Sequence, residues 1–187
     1  MDPIKSLDKA LFGDDAARPV GRHPATLDEA ELFEQCEMIR GRSGGPGGQH
    51  RNKTSTHVTL KHKPTGLEAQ AGEQRSSEAN RKRAIRRLRL ILAVQYRTGV
   101  PAGDCRNELW ISRTRKRRIS CNPRHADYPA MLALALDVIE ASSGDLKAAA
   151  TRLAVTPSQL LKLLRDCPPA LAEVNRRRGD RNLGALK

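Results

Sequence analysis

The chain has 187 residues, enough for one medium domain or two small ones, and with 38% hydrophobic and 3% aromatic residues its core must be built from Leu, Ile, Val and Ala. The formal net charge is +13 and the pI near 10.3, yet the first 35 residues carry −4, leaving +17 on the remainder. That asymmetry points to a polyanion, nucleic acid before an acidic membrane surface. No apolar run suits a bilayer or a signal peptide, and Asp2, Asp8, Asp14 and Asp15 are foreign to an organellar transit peptide, so a soluble, cytoplasmic protein is expected. Cys36, Cys105, Cys121 and Cys167 are far apart, and His50, His57 and His62 lack a carboxylate or thiolate pattern; reduced thiols, no metal site and no cofactor are expected.

Residues 1–24, rich in Asp, Pro, Gly and Arg, read as a flexible arm. Thr26 with Glu29 three residues on predicts a capping box and a short helix carrying Leu27, Ala30, Leu32 and Phe33. Cys36 to Gly41 alternates as a short strand that feeds a glycine-rich stretch. Beyond that stretch, Thr54 to Lys63 is β-branched and alternating, Pro64-Thr65-Gly66 is a turn signal, and Leu67, Ala69 and Ala71 alternate on a return strand that Gly72 ends. His57 and Lys61 share one strand parity, the exposed, RNA-facing one. Ser76 or Ser77 caps a long helix with Ile85, Leu88, Leu92 and Tyr96 in one stripe and Arg83, Arg86, Arg87 and Arg97 on the other side.

Residues 98–124 read as a basic linker with a short ordered piece around Leu109-Trp110-Ile111, and Arg113 to Arg118 hold five basic residues in six. From Tyr128 the pattern is helical. Pro129 opens a first helix with Met131, Leu132, Leu136 and Ile139, Gly144-Asp145 separates a second at 146–155, and Thr156-Pro157 starts a third with Leu160 and Leu164. A last segment runs from Pro169 to Arg178, followed by a polar, basic tail. The spacing Ala149-Ala150, Leu153, Val155-Thr156, Leu160, Leu164 resembles helix-turn-helix proteins, and it suits a tight helical bundle equally well. The fold class is therefore α+β: a small domain at 25–97 with a short helix, a hairpin-containing sheet and a long basic helix, then the linker and an all-α bundle at 125–187.

The stretch Arg42-Ser43-Gly44-Gly45-Pro46-Gly47-Gly48-Gln49-His50-Arg51-Asn52-Lys53 has almost no side chain with ordinary acid–base chemistry. Its paired glycines allow torsions closed to other residues and a close backbone approach to a ligand. A nucleotide-binding loop would end in Gly-Lys-Ser/Thr and enter a helix; here a strand follows. The string resembles the signature of class I peptide chain release factors and their small ribosome-rescue relatives. The similarity continues through Pro64-Thr65-Gly66, Gln74-Arg75-Ser76 and Asn80-Arg81, over roughly 26–97. Arg51, where Val or Ile is usual, and His57, where a small residue or Lys is common, depart from the pattern.

The resemblance implies hydrolysis of the ester between nascent peptide and transfer RNA in the large ribosomal subunit, with Gly47, Gly48 and Gln49 catalytic. The Gln49 backbone N–H would face the developing charge while its side chain positions water. Arg42, Ser43, His50, Arg51, Asn52, Lys53, Arg75, Arg115, Lys116 and Arg117 are the candidate RNA contacts. The implied partners are large-subunit ribosomal RNA, peptidyl-tRNA and a glutamine methyltransferase that would N-methylate Gln49, and a monomer is expected. Codon-reading domains have no room before the glycine loop, and Pro24-Ala25-Thr26 matches a codon-reading tripeptide by coincidence, so codon-independent release is expected. The alternatives are a non-catalytic ribosome- or RNA-binding protein using the helical bundle, and a DNA-binding regulator acting through 144–165.

Overall fold

In the computed structural model, which describes residues 21–41 and 56–187, the chain divides into two units: Leu27–Leu92, and Ala93–Lys187 together with residues 21–26. Seven α-helices and two small antiparallel sheets among the described residues make the fold α+β, as the sequence predicts.

In the first unit, α1 (Glu29–Glu34) leads into β1 (Cys36–Gly41), which pairs with β2 (His57–His62), which pairs with β3 (Glu68–Ala71). Strand alternation sets the buried side: Val58, Leu60 and His62 on β2 and Ala69 and Ala71 on β3 are buried, while Lys61, Glu68 and Gln70 are exposed. The long helix α2 (Ser77–Gln95) supplies the complementary stripe, with Ala84, Ile85, Leu88 and Leu92 fully buried. Arg87 donates to the carbonyl of Gln70 (2.6 Å) and Asn80 to that of Thr56 (2.6 Å), fastening helix to sheet. The cap of α1 differs from expectation. Asp28 and Glu31 form the capping box, because the Thr26 hydroxyl is committed to the carbonyl of His23 (2.7 Å) in the 3₁₀ turn Pro24–Thr26.

The second unit is organised by α4 (Tyr128–Ala141), in which every residue from Tyr128 to Ala133 and from Ala135 to Ile139 is buried. A helix apolar all round belongs in the middle of a bundle. Around it lie α5 (Leu146–Arg152), α6 (Pro157–Arg165) and α7 (Pro168–Asp180). Asp145 caps α5, and the Thr156 side chain caps α6 by accepting from the Gln159 amide (3.2 Å). Ala149, Ala150, Leu153, Val155, Leu160 and Leu164, the helix-turn-helix spacing, are all buried.

Residues 98–124, expected to form a linker, contain α3 (Glu108–Ser112) and a two-stranded ribbon, β4 (Thr114–Arg115) and β5 (Arg118–Ile119), within this unit. Trp110 explains why. Its indole is fully buried and its Nε1–H donates to the Leu153 carbonyl (2.9 Å), a partner that local composition cannot reveal.

Arg97 is a second correction. Placed by helical spacing on the basic face of α2, it is 1% exposed. It donates to the carbonyls of Ala93, Val94 and Tyr96 and lies 3.8 Å from Asp137, which also accepts from the Thr98 amide (3.1 Å) and hydroxyl (2.5 Å). Burial pushes the Arg97 pKa down to about 10, with Asp137 opposing.

Candidate functional site

The glycine-rich stretch is bounded by paired backbone. Gly41 is the register partner of His57, and Arg40 that of Val58, so the segment between β1 and β2 leaves and re-enters the sheet at neighbouring positions. The core-facing parity of β1 runs from buried Cys36 through half-buried Met38 to exposed Arg40, so apolar packing fades toward this end of the strand. What holds the base of the segment here is polar.

Asn80, in the first turns of α2, is fully buried. Its Nδ2 donates to the carbonyls of Thr56 (2.6 Å) and Gln74 (2.9 Å), and its Oδ1 accepts from the Gln74 amide (2.9 Å). One side chain thus ties the residue just before β2 to the β3–α2 connection and to the helix start. Beside it, the imidazole of His57 lies against Gly72. A Cβ added at Gly72 would sit 2.6 Å from His57 Cδ2, closer than real contacts come, so any side chain there would force the imidazole to move.

His62, at the far end of β2, is buried and joined to Thr65 Oγ1 (2.8 Å) through Nδ1 and to Gln35 Oε1 (3.0 Å) through Nε2. The amide oxygen of Gln35 requires a donor, so Nε2 carries the proton and Nδ1 accepts from the Thr65 hydroxyl. Burial lowers the His62 pKa, which agrees with a neutral ring.

The basic face of α2 is partly consumed within the unit. Arg81 pairs with Glu78 (2.6 Å) and lies 4.9 Å over the Phe33 ring, and Arg87 pairs with Glu73, whose carboxyl it holds below the usual range. Of the expected site residues, Arg75 is exposed on the 72–76 connection, close in sequence to Asn80 and Gly72. Arg115, Lys116 and Arg117 are exposed on the ribbon of the second unit. Arg42, Ser43, Gly47, Gly48, Gln49, His50, Arg51, Asn52 and Lys53 lie outside the described residues. Among the described residues no cluster of three metal-ligating side chains occurs, and no helix is long and apolar enough to cross a membrane.

The model of the RF-1 domain matches residues 29–123, half of the chain. The chain belongs to the class I release factor family. A "Mitochondrial translation release factor in rescue" from Danio rerio is 49% identical over 71 residues, 38% of this chain and 43% of that protein. "Peptide chain release factor 1" of Caldicellulosiruptor saccharolyticus is 45% identical over 71 residues, 37% of this chain and 20% of that protein. A mitochondrial "peptide chain release factor-like protein" of Saccharomyces cerevisiae is 44% identical over 69 residues, 36% of this chain and 44% of that protein. The chain thus spans between a fifth and less than half of these release factor relatives.

Asn80 and His57 are the positions whose part at this site was not drawn out from the sequence. Asn80 entered there as one letter of a family string, and its signal was physical: asparagine is a poor helix former inside an otherwise strong helix.

Proposed function

We propose that this release-factor-family protein hydrolyses the ester of peptidyl-tRNA in the peptidyl transferase centre of the ribosome without reading a stop codon, freeing the nascent chain from stalled ribosomes. One observation carries this: the string Arg42 to Lys53, with Gly47-Gly48-Gln49 at its centre, is inserted between register partners Gly41 and His57 within the family-matched stretch. Similarity to a zebrafish protein named for rescue supports the choice of rescue.

The proposed chemistry needs no ionisable side chain. The Gln49 backbone N–H stabilises charge on the reacting ester, its carboxamide places water, and Gly47 and Gly48 leave room for both. Arg42, Ser43, His50, Arg51, Asn52, Lys53 and Arg75 contact ribosomal RNA around the site, and Arg115, Lys116 and Arg117 add phosphate contacts from the second unit. Gln49 is the candidate for N-methylation. Residues 25–97 act as the hydrolytic module, working as a monomer.

The test is peptide release from ribosomes carrying peptidyl-tRNA on a message truncated without a stop codon. Release is expected for the natural chain and about 10²–10³-fold slower for Gln49→Ala or Gly48→Ala, with ribosome association retained. No release from any stalled complex, with Gln49 methylated or not, overturns the proposal; dependence on a stop codon overturns its codon-independent part.

A further inference from the structure

Four consecutive cations, Arg115, Lys116, Arg117 and Arg118, occupy the exposed ribbon of the second unit, and among the described residues none has an acidic partner. The two at the turn sit at positive φ, 48° for Lys116 and 62° for Arg117. With Arg115 paired to Arg118, this is a two-residue hairpin turn of the kind that asparagine and glycine fill at least cost. Long cationic side chains there are unfavourable for the backbone, and like charges face each other across the ribbon. Folding alone would choose other residues at both places.

The ribbon is also not a free arm. The Thr156 amide donates to the Arg117 carbonyl (3.2 Å), the Ile119 amide donates to Gln159 Oε1 (3.2 Å), and Arg117 Nη2 reaches the Val155 carbonyl (3.5 Å). These bonds lock the ribbon to the first turn of α6, the second helix of the helix-turn-helix. A small hollow between them is lined by Ile119, Cys121, Gln159, Lys162, Leu163 and Asp166, and the exposed Lys162 extends the basic surface along α6.

We propose that ribbon and α6 form one rigid surface that grips the phosphate backbone of double-helical RNA without reading its sequence. Guanidinium groups suit phosphate oxygens, and a ribbon fixed to a helix holds them at set spacing. Reading DNA through this motif would need side chains at the start of α6 free to reach base edges. Gln159, the long polar side chain there, is spent on the Ile119 amide, leaving Ser158. A-form RNA, held by shape and backbone contacts, asks for no such side chain. The proposal extends the phosphate contacts assigned above to Arg115, Lys116 and Arg117, and does not require peptide release.

The experiment compares binding of the full chain to a mixed-sequence RNA hairpin, a DNA duplex of the same sequence, and polyaspartate, across a salt series. The decisive variant is Lys116→Asn with Arg117→Gly, which suits the turn better and gives up only the long Arg117 bond to Val155, leaving the Thr156–Arg117 and Ile119–Gln159 bonds in place. Melting should hold or rise, while RNA affinity falls about tenfold near about 150 mM salt and the slope of log K against log salt becomes shallower by about two. Lys162→Glu should weaken RNA binding as well. Gln49→Ala should bind RNA as the natural chain does, so failure of release and failure of this surface are separately visible. Unchanged RNA affinity in the double variant, tighter binding of the DNA duplex, or equal competition by polyaspartate would each overturn the proposal.

Discussion

Among the described residues of Leu27–Leu92 the buried polar side chains are neutral: His62, Thr65 and Asn80. In the second unit they include Arg97, Asp137 and Glu173, and the last of these carries hydrogen bonds from Arg176 (2.8 Å) and Arg177 (2.5 Å). Burial alone would push the Glu173 carboxyl up; the two guanidinium donors more than offset this and hold it below its usual range. The difference follows from what each set holds. Neutral amides and imidazoles fix loops and strand ends with directional bonds and less desolvation cost than ions. Charged groups staple helices together, and they do so only while every partner is present.

Arg97→Met tests that contrast most severely. It leaves Asp137 charged and buried beside Thr98, and should cost about 3–5 kcal/mol in denaturant unfolding of the second unit. The double change Arg97→Met with Asp137→Asn, which removes the buried charge and keeps an acceptor for Thr98, should recover part of the loss. If the single change costs under about 1 kcal/mol, the network is ornament and the contrast fails.

Asn80→Leu probes the neutral side. It strands the Thr56 carbonyl and both backbone groups of Gln74, and should cost about 1–3 kcal/mol. If Asn80 positions the base of the 42–55 segment proposed to be catalytic, release at saturating protein should fall by more than the unfolded fraction explains, with ribosome affinity unchanged. A loss confined to stability would make Asn80 a structural clamp alone.

The smallest effect concerns pH. His62 has a folded pKa below its usual value of 6.5, so the unfolded chain binds the proton first as pH falls. Stability of Leu27–Leu92 should be intact above about pH 7 and decline as pH drops below 6.5. His62→Gln should flatten that decline, and an equal slope in the variant would assign it to other groups.

Much of the fold was legible where a single face repeats. The strand Cys36–Gly41, the hairpin turning at Pro64-Thr65-Gly66, and the stripe Ile85, Leu88, Leu92 all follow from local periodicity. Arg97 was misplaced because its burial depends on Asp137, forty residues on, and no helical period reports a partner at that distance. The Arg-rich stretch at 113–118 reads as part of a basic linker for the same reason: composition registers its charge, while the Trp110 and Gln159 bonds that anchor it reach distant residues. Of the candidate site, the string at 42–53 that is proposed to carry the chemistry lies outside the described residues, and only its frame can be compared with expectation. That frame added Asn80 and the Gly72 contact, neither of which has a periodic signature.

The meeting of His57 with Gly72 carries a consequence for variation in this family. A side chain at position 72 would enter the volume of the His57 ring, so a change at 72 depends on what stands at 57. A relative with a side chain at the second should carry a slim or reoriented residue at the first, whereas position 57 can vary freely while glycine stays at 72. A change at 72 paired with a smaller residue at 57 is the way to alter the start of β2 while keeping the sheet intact.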